Sequence, residues 1–114
     1  MHEGSITKSI MDTVLSTAAE EHITGTITEV QVTVGVCQGL IPESMTMYFD
    51  IEKTGTLLEQ AELAVNVQGM VAHCPACDTD HKLDVPVMYC PDCSTPMNLV
   101  KGHEILITAI EVEE

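Results

Sequence analysis

The chain has 114 residues, 45 % of them apolar, and sets 18 acidic residues against four Lys and no Arg, for a formal charge of −14. That length suits one domain, or a small domain carrying a lesser lobe, and the apolar content excludes a disordered tail. So acidic a chain repels phosphate backbones, which argues against nucleic acid as a partner, and no stretch approaches the roughly 20 apolar residues of a membrane span.

The opening Met1-His2-Glu3-Gly4-Ser5 lacks the basic and apolar regions of a signal peptide, so a cytoplasmic protein is expected. From Ser5 to His22 apolar residues recur at Ile6, Ile10, Val14 and Ala18, with a second row at Met11, Leu15 and His22. This spacing predicts an amphipathic helix with Ser5 as N-cap and Gly25 as its stop. From Glu29 to Val36 the period becomes two, with Val30, Val32, Val34 and Val36 on one face, which predicts a half-buried strand. Pro42 sits where a second helix can begin, and Met45, Tyr48, Phe49 and Glu52 carry it towards Gly55. Glu62 to Gln68 alternates again, with Leu63, Val65 and Val67 expected inward.

Two motifs come next, Cys74-Pro75-Ala76-Cys77 and Cys90-Pro91-Asp92-Cys93, with 12 residues between them. Each brings two thiolates to about 2.3 Å from one ion, and two such knuckles complete a tetrahedron. In a reducing compartment this spacing points to structural zinc on Cys74, Cys77, Cys90 and Cys93 rather than to two disulfides or a redox dithiol, although tetrahedral sulfur also suits iron. With every position filled by protein, the ion has no open site for catalysis. His81, Leu83 and Val85 alternate with Lys82 and Asp84, which predicts a hairpin between the knuckles. Asp78 and Ser94 stand where Gly usually follows the second Cys, and Ser tolerates a left-handed backbone less well than Asp. Cys37 is expected as a thiol without a role, and His73, His81 and His103 as exposed or outer hydrogen-bonding residues able to tune the thiolates.

Glu104 to Val112 is a mostly apolar run, expected as a last strand covered on both faces near the sheet centre. The whole reads as an α+β fold: a small three-stranded sheet with two helices, plus a zinc-ribbon lobe. Residues 1–70 and 103–114 are expected to form the α/β domain and 71–102 the lobe, entered and left through hinges at Gly69 and Gly102.

The first residues have chemistry of their own. The Met1 amine, the His2 amide nitrogen and the His2 imidazole close two fused chelate rings, and the Glu3 amide can complete a plane of four nitrogens suited to Ni²⁺ or Cu²⁺. Together, Met1-His2-Glu3-Gly4-Ser5-Ile6, Val34-Gly35, Gly39-Leu40-Ile41-Pro42-Glu43, Gly55-Thr56, the paired Cys-x-x-Cys motifs and the closing strand resemble the HypA family over nearly the whole chain. The resemblance implies a nickel metallochaperone for [NiFe]-hydrogenase maturation. It implies Ni²⁺ cargo held by His2 with the Met1 amine and the backbone of Glu3, and structural Zn²⁺ on Cys74, Cys77, Cys90 and Cys93. It also implies a HypB-like GTPase partner and delivery to the hydrogenase large subunit. Val36 and Cys37 depart from the family's usual residues, and neither is an expected ligand.

Two rival classes fit less well. A nucleic-acid-binding zinc ribbon would carry basic or aromatic residues by its knuckles, and here Lys82, Lys101 and Tyr89 are the few from Met70 to Gly102; a protein-binding zinc-ribbon module without nickel function is the alternative that a nickel titration separates. An enzyme is not expected, since there is no phosphate-binding loop, no open zinc position and no nucleophile–base pair.

Overall fold

The computed structural model describes residues 3–114. Helix α1 spans Glu3–Glu20 and buries Thr7, Ile10, Met11, Val14 and Ala18, the stripe its periodicity demands. Ser5 is therefore inside the first turn and is not the N-cap, and Glu3 supplies the acidic charge that favours the positive helix end. The stop is also earlier than Gly25. His22 takes the left-handed conformation at φ 52, the His22 N–H donates to Ala19 O and the Ile23 N–H to Ala18 O, a Schellman cap built on a histidine. Gly25 instead lets the backbone pass the chain's last strand, where a Cβ would meet Glu113 O at 2.7 Å.

Strand β1 spans Thr26–Gly35 and is the centre of a sheet ordered β2-β1-β6. Its parallel neighbour β2 is Glu62–Gln68, reached through a 3-10 turn at Val36–Gln38 and helix α2 at Pro42–Glu52; its antiparallel neighbour β6 is Ile105–Glu113. The last strand is thus an edge, not the centre as its composition suggested. Its uneven pattern has a local cause. Thr108 is an extra residue opposite the Gln31–Val32 step, so Ile105 and Ile107 on one side of the bulge and Ile110 and Val112 on the other all turn to the core. A matching bulge at Thr28 lets Ile27 and Val30 face the same way. Val67, expected inward, is 43 % exposed where β2 runs beyond the core.

Both helices cover one face of this sheet, and Val14, Val30, Met45, Phe49, Leu58 and Ala61 are fully buried between them. The other face is polar. Glu62, Glu29 and Glu111 fall at one register across all three strands, and the Gln31 amide donates to Glu29 at 2.6 Å and to Glu111 at 2.8 Å, easing the repulsion of like charges side by side.

A second three-stranded sheet, β4-β3-β5, is made by β3 at Met70–Cys74, β4 at Thr79–Leu83 and β5 at Asn98–Lys101. The hairpin here joins β3 to β4 across the first knuckle, with Cys74 opposite Thr79 and Met70 opposite Leu83, instead of lying between the knuckles. The pairing partner precedes the first cysteine, so the alternation of His81 and Leu83 alone could not reveal it. A separate apolar cluster of Met70, Ala72, Cys74, Cys90 and Met97 lies under this sheet, with Val36 and Cys37 reaching it from the end of β1.

Two sheets joined end to end make the molecule long, 54 × 24 × 17 Å, with a radius of gyration of 17.3 Å against about 13 Å for a compact chain of this length. The joint is braced. The Gly35 N–H donates to Glu104 O at 2.7 Å and the Cys37 N–H to Gly102 O at 2.8 Å, while the Gln38 side chain donates to His103 O. Gly35 lies against Gly102 so closely that a Cβ would fall 2.1 Å from its carbonyl. Gly102 itself has φ +127, so it can be replaced only with strain.

Candidate metal centre

The sequence places two Cys-x-x-Cys knuckles 12 residues apart, and the fold closes that gap. Cys74 ends β3, and the chain turns at once through residues 75–78 into β4. The second knuckle is set by a bridge between Tyr89 and Pro96, with the Cys90 N–H on Thr95 O at 2.8 Å and the Met97 N–H on Met88 O. Asp78 and Ser94, the residues after each second cysteine, both adopt left-handed φ, 50° and 61°. The Gly-like backbone is kept at both knuckles, at a steric cost that Asp bears better than Ser.

The Sγ atoms of Cys74, Cys77, Cys90 and Cys93 all lie within 4.8 Å of one another. Cys93 Sγ is 3.6 Å from Cys74 Sγ and 3.4 Å from Cys77 Sγ. A regular tetrahedron with sulfur about 2.3 Å from its centre has edges of about 3.8 Å, so the four thiols fit one zinc-sized ion. Cys74 and Cys90 are buried, Cys77 and Cys93 exposed. Backbone amides point at the inner pair: the Cys77 N–H lies 3.3 Å from Cys74 Sγ and the Asp92 N–H 3.4 Å from Cys90 Sγ. Such donors favour sulfur carrying negative charge.

The thiols are not equivalent without an ion. Cys93 is pulled down to about 6, chiefly because Thr95 Oγ1, at 3.2 Å, and the Thr95 backbone stabilise its thiolate. Cys77 is pushed up to about 12, chiefly because its S–H hydrogen-bonds to Cys93 and Cys74 and so holds its proton. Burial pushes Cys90 up. Thr95 was missed in the sequence, where its only signal is a hydroxyl two places beyond a cysteine.

The histidines divide. His81 Nε2 sits 3.5 Å from Cys90 Sγ, within reach to donate to a thiolate, and with Asp92 it forms a small secondary cluster beside the four thiols. His73 is held between two carboxylates, Nδ1 to Asp80 at 2.6 Å and Nε2 to Asp78 at 3.3 Å, on the outside of the lobe. His103 is exposed and contributes its carbonyl to the joint. Cys37 is outside the thiol group, half-buried at the joint with its Sγ 3.8 Å from Met70 Sδ.

Met1 and His2, the expected nickel ligands, lie outside the described residues. The next two residues are anchored. Glu3 Oε2 accepts the Ile41 N–H at 3.0 Å, tying the start of α1 to the turn before α2. Gly4 lies under the Tyr48 ring, where a Cβ would come within 3.2 Å of it.

Comparison with known proteins finds relatives along the whole chain. A family model described as "Hydrogenase/urease nickel incorporation, metallochaperone, hypA" matches residues 1–112. The hydrogenase maturation factor HypA of Chlorobium limicola is 40 % identical over 115 residues, covering 100 % of this chain and 98 % of that protein. A Synechocystis protein named guanidine hydrolase-activating protein A is 30 % identical over 113 residues, covering 97 % of this chain and 94 % of its own. The solution structure of the Ni metallochaperone HypA from Helicobacter pylori superposes with a TM-score of 0.65 at 19 % identity, over 98 % of this chain and 97 % of that one. A second solution structure of a HypA protein gives 0.67 at 18 %, over 99 % and 97 %. At those identities the likeness is one of fold.

Proposed function

The chain belongs to the HypA family, and on that premise we propose that it carries Ni²⁺ at its first residues and delivers it to the large subunit of a [NiFe]-hydrogenase. The observation that carries this reading is the span of the family match, which runs from Met1-His2-Glu3 through both cysteine motifs. In this account the Met1 amine, the His2 amide and imidazole and the Glu3 amide hold the ion in a plane. Two deprotonated amides cancel the charge of Ni²⁺, so the loaded site puts no net cation at the positive end of α1. Glu3, held on Ile41, fixes where the chelate sits on the body. Imidazole titrates near pH 6.5, so acid loosens the complex within a range useful for release.

The four thiolates of Cys74, Cys77, Cys90 and Cys93 hold zinc, which supplies structure and no reaction site, since its coordination is complete. With the thiols ionised on zinc, His81 Nε2 beside Cys90 and the Thr95 hydroxyl beside Cys93 would donate to them and orient them. Residues 71–102 act as the zinc lobe and residues 1–70 with 103–114 as the nickel-bearing body. A cytoplasmic location and a HypB-like GTPase partner complete the scheme, with nucleotide hydrolysis left to that partner. The client is the least constrained part. The family description names hydrogenase and urease, and one relative is named for guanidine hydrolase.

Calorimetric titration of the zinc-loaded protein with Ni²⁺ tests the assignment. His2→Ala, and separately a residue added before Met1, should abolish stoichiometric binding and leave the zinc in place. Undiminished affinity in either variant refutes the ligand set.

A further inference from the structure

A backbone edge is left open along the side of the α/β body. β6 closes the sheet there, and among the described residues it pairs with β1 alone. Beside it runs a groove in two overlapping sections of about 380 Å³ each. In the first, α1 supplies Ile6, Ile10 and Thr13, and β6 supplies three consecutive residues, Ile105–Ile107. The second shares Thr13 and Ile107 and continues to Ile110. Successive strand residues point to opposite faces. A wall made of consecutive residues is therefore the edge of the strand, where the N–H and C=O groups turned away from β1 meet the groove.

Long edges are usually blunted by Lys, Pro or a short length. Nine-residue β6 contains neither Lys nor Pro, has three Ile, and its protection is the bulge at Thr108. Leu106, in the middle of the groove wall, is 50 % exposed. From Ile105 to Ile110 the edge offers about 17 Å, the reach of an extended segment of five or six residues.

We infer that this groove takes up an extended, basic segment of another protein, which adds to β6 as a fourth strand. Its backbone pairs with the open edge, and alternate apolar side chains fill the space against Ile6 and Ile10. Charge selects the occupant. No basic residue lines either section of the groove, and the chain as a whole carries −14, so flanking Lys or Arg is favoured. A second copy of this chain carries the same −14 and would be repelled.

A probe peptide of about eight residues, capped at both ends and alternating Lys with Val or Ile, tests this on the zinc-loaded protein by amide hydrogen exchange and chemical-shift mapping. The inference expects slowed exchange for amides within 105–110. It expects about tenfold weaker binding when the peptide is N-methylated on the residues that would pair. Thr13→Trp, which fills the shared part of the groove from an exposed helix position, should weaken binding by a similar factor. Equal binding of the N-methylated peptide overturns the inference without reliance on any variant folding. So does protection mapped to the Glu29, Glu62 and Glu111 face. Protection of 105–110 that grows with protein concentration and no peptide would make the occupant a second copy, and the inference wrong.

Discussion

The two halves of this molecule meet the same demand, enough buried surface to fix a small sheet, by different means. Among the described residues the body gathers fourteen buried apolar side chains from two helices, two strands and the loops between them into one cluster. The lobe gathers five, and two of these are Cys74 and Cys90. Without its cysteines the lobe rests on Met70, Ala72 and Met97, far too little to order three short strands against chain entropy. A metal held by the four thiols would replace the missing core; structural zinc in small fingers contributes roughly 10–16 kcal/mol. The difference teaches that one chain can have two independent sources of stability, and that perturbations should sort cleanly between them.

The largest effect should come from taking the metal away. A strong chelator, or Cys90→Ser, should abolish the β4-β3-β5 sheet while leaving β2-β1-β6 folded. Backbone NMR checks this by loss of dispersion confined to residues 70–101. Coincident loss of both sheets would break the comparison. Second comes Phe49→Ala, which empties a fully buried site in the body. A cost of about 3–5 kcal/mol is expected, read as a lower denaturation midpoint for the body, with zinc content unchanged.

Acid should act on the lobe alone by a third route. Cys77 and Cys90 are raised, so in the metal-free lobe both keep their protons at neutral pH and must lose them to bind. Zinc affinity should then fall by about a hundredfold or more per pH unit from pH 8 downward. It should fall more steeply below about 6, where Cys93 also protonates. Competition titrations across that range measure the slope, and a flat profile would contradict four-thiolate binding. The smallest effect is expected at Ser94→Gly. The left-handed φ of 61 strains Ser but suits Gly, so the lobe should gain about 1 kcal/mol or less, visible as slower zinc loss to a chelator.

Much of this was legible in the sequence because it rests on local periodicity. The α1 stripe, the Val30–Val34 alternation, Pro42 at the start of α2 and the paired knuckles all signal through neighbours a few residues away. What was misread depends on distant partners. β6 is apolar enough for a central strand, and only the Thr108 bulge and the pairing with β1 explain its place at the edge. The Cys74–Thr79 hairpin needs β3, which carries little pattern of its own. Gly25 looked like a helix stop and is a contact with β6, while His22 supplies the left-handed cap that glycine usually provides. The thiol quartet is assembled as the spacing required, but Thr95 and the bracing of Gly102 by residues 35–38 could be seen only in three dimensions.

The division of metals between the two halves is the claim on which the rest depends. X-ray absorption at the nickel and zinc edges, on protein with an unmodified amino end loaded with one equivalent of each ion, tests it most directly. The account predicts nickel in a planar nitrogen/oxygen shell with one imidazole, and zinc among four sulfurs. Nickel found among the sulfurs, with the first residues taking no part, would contradict it.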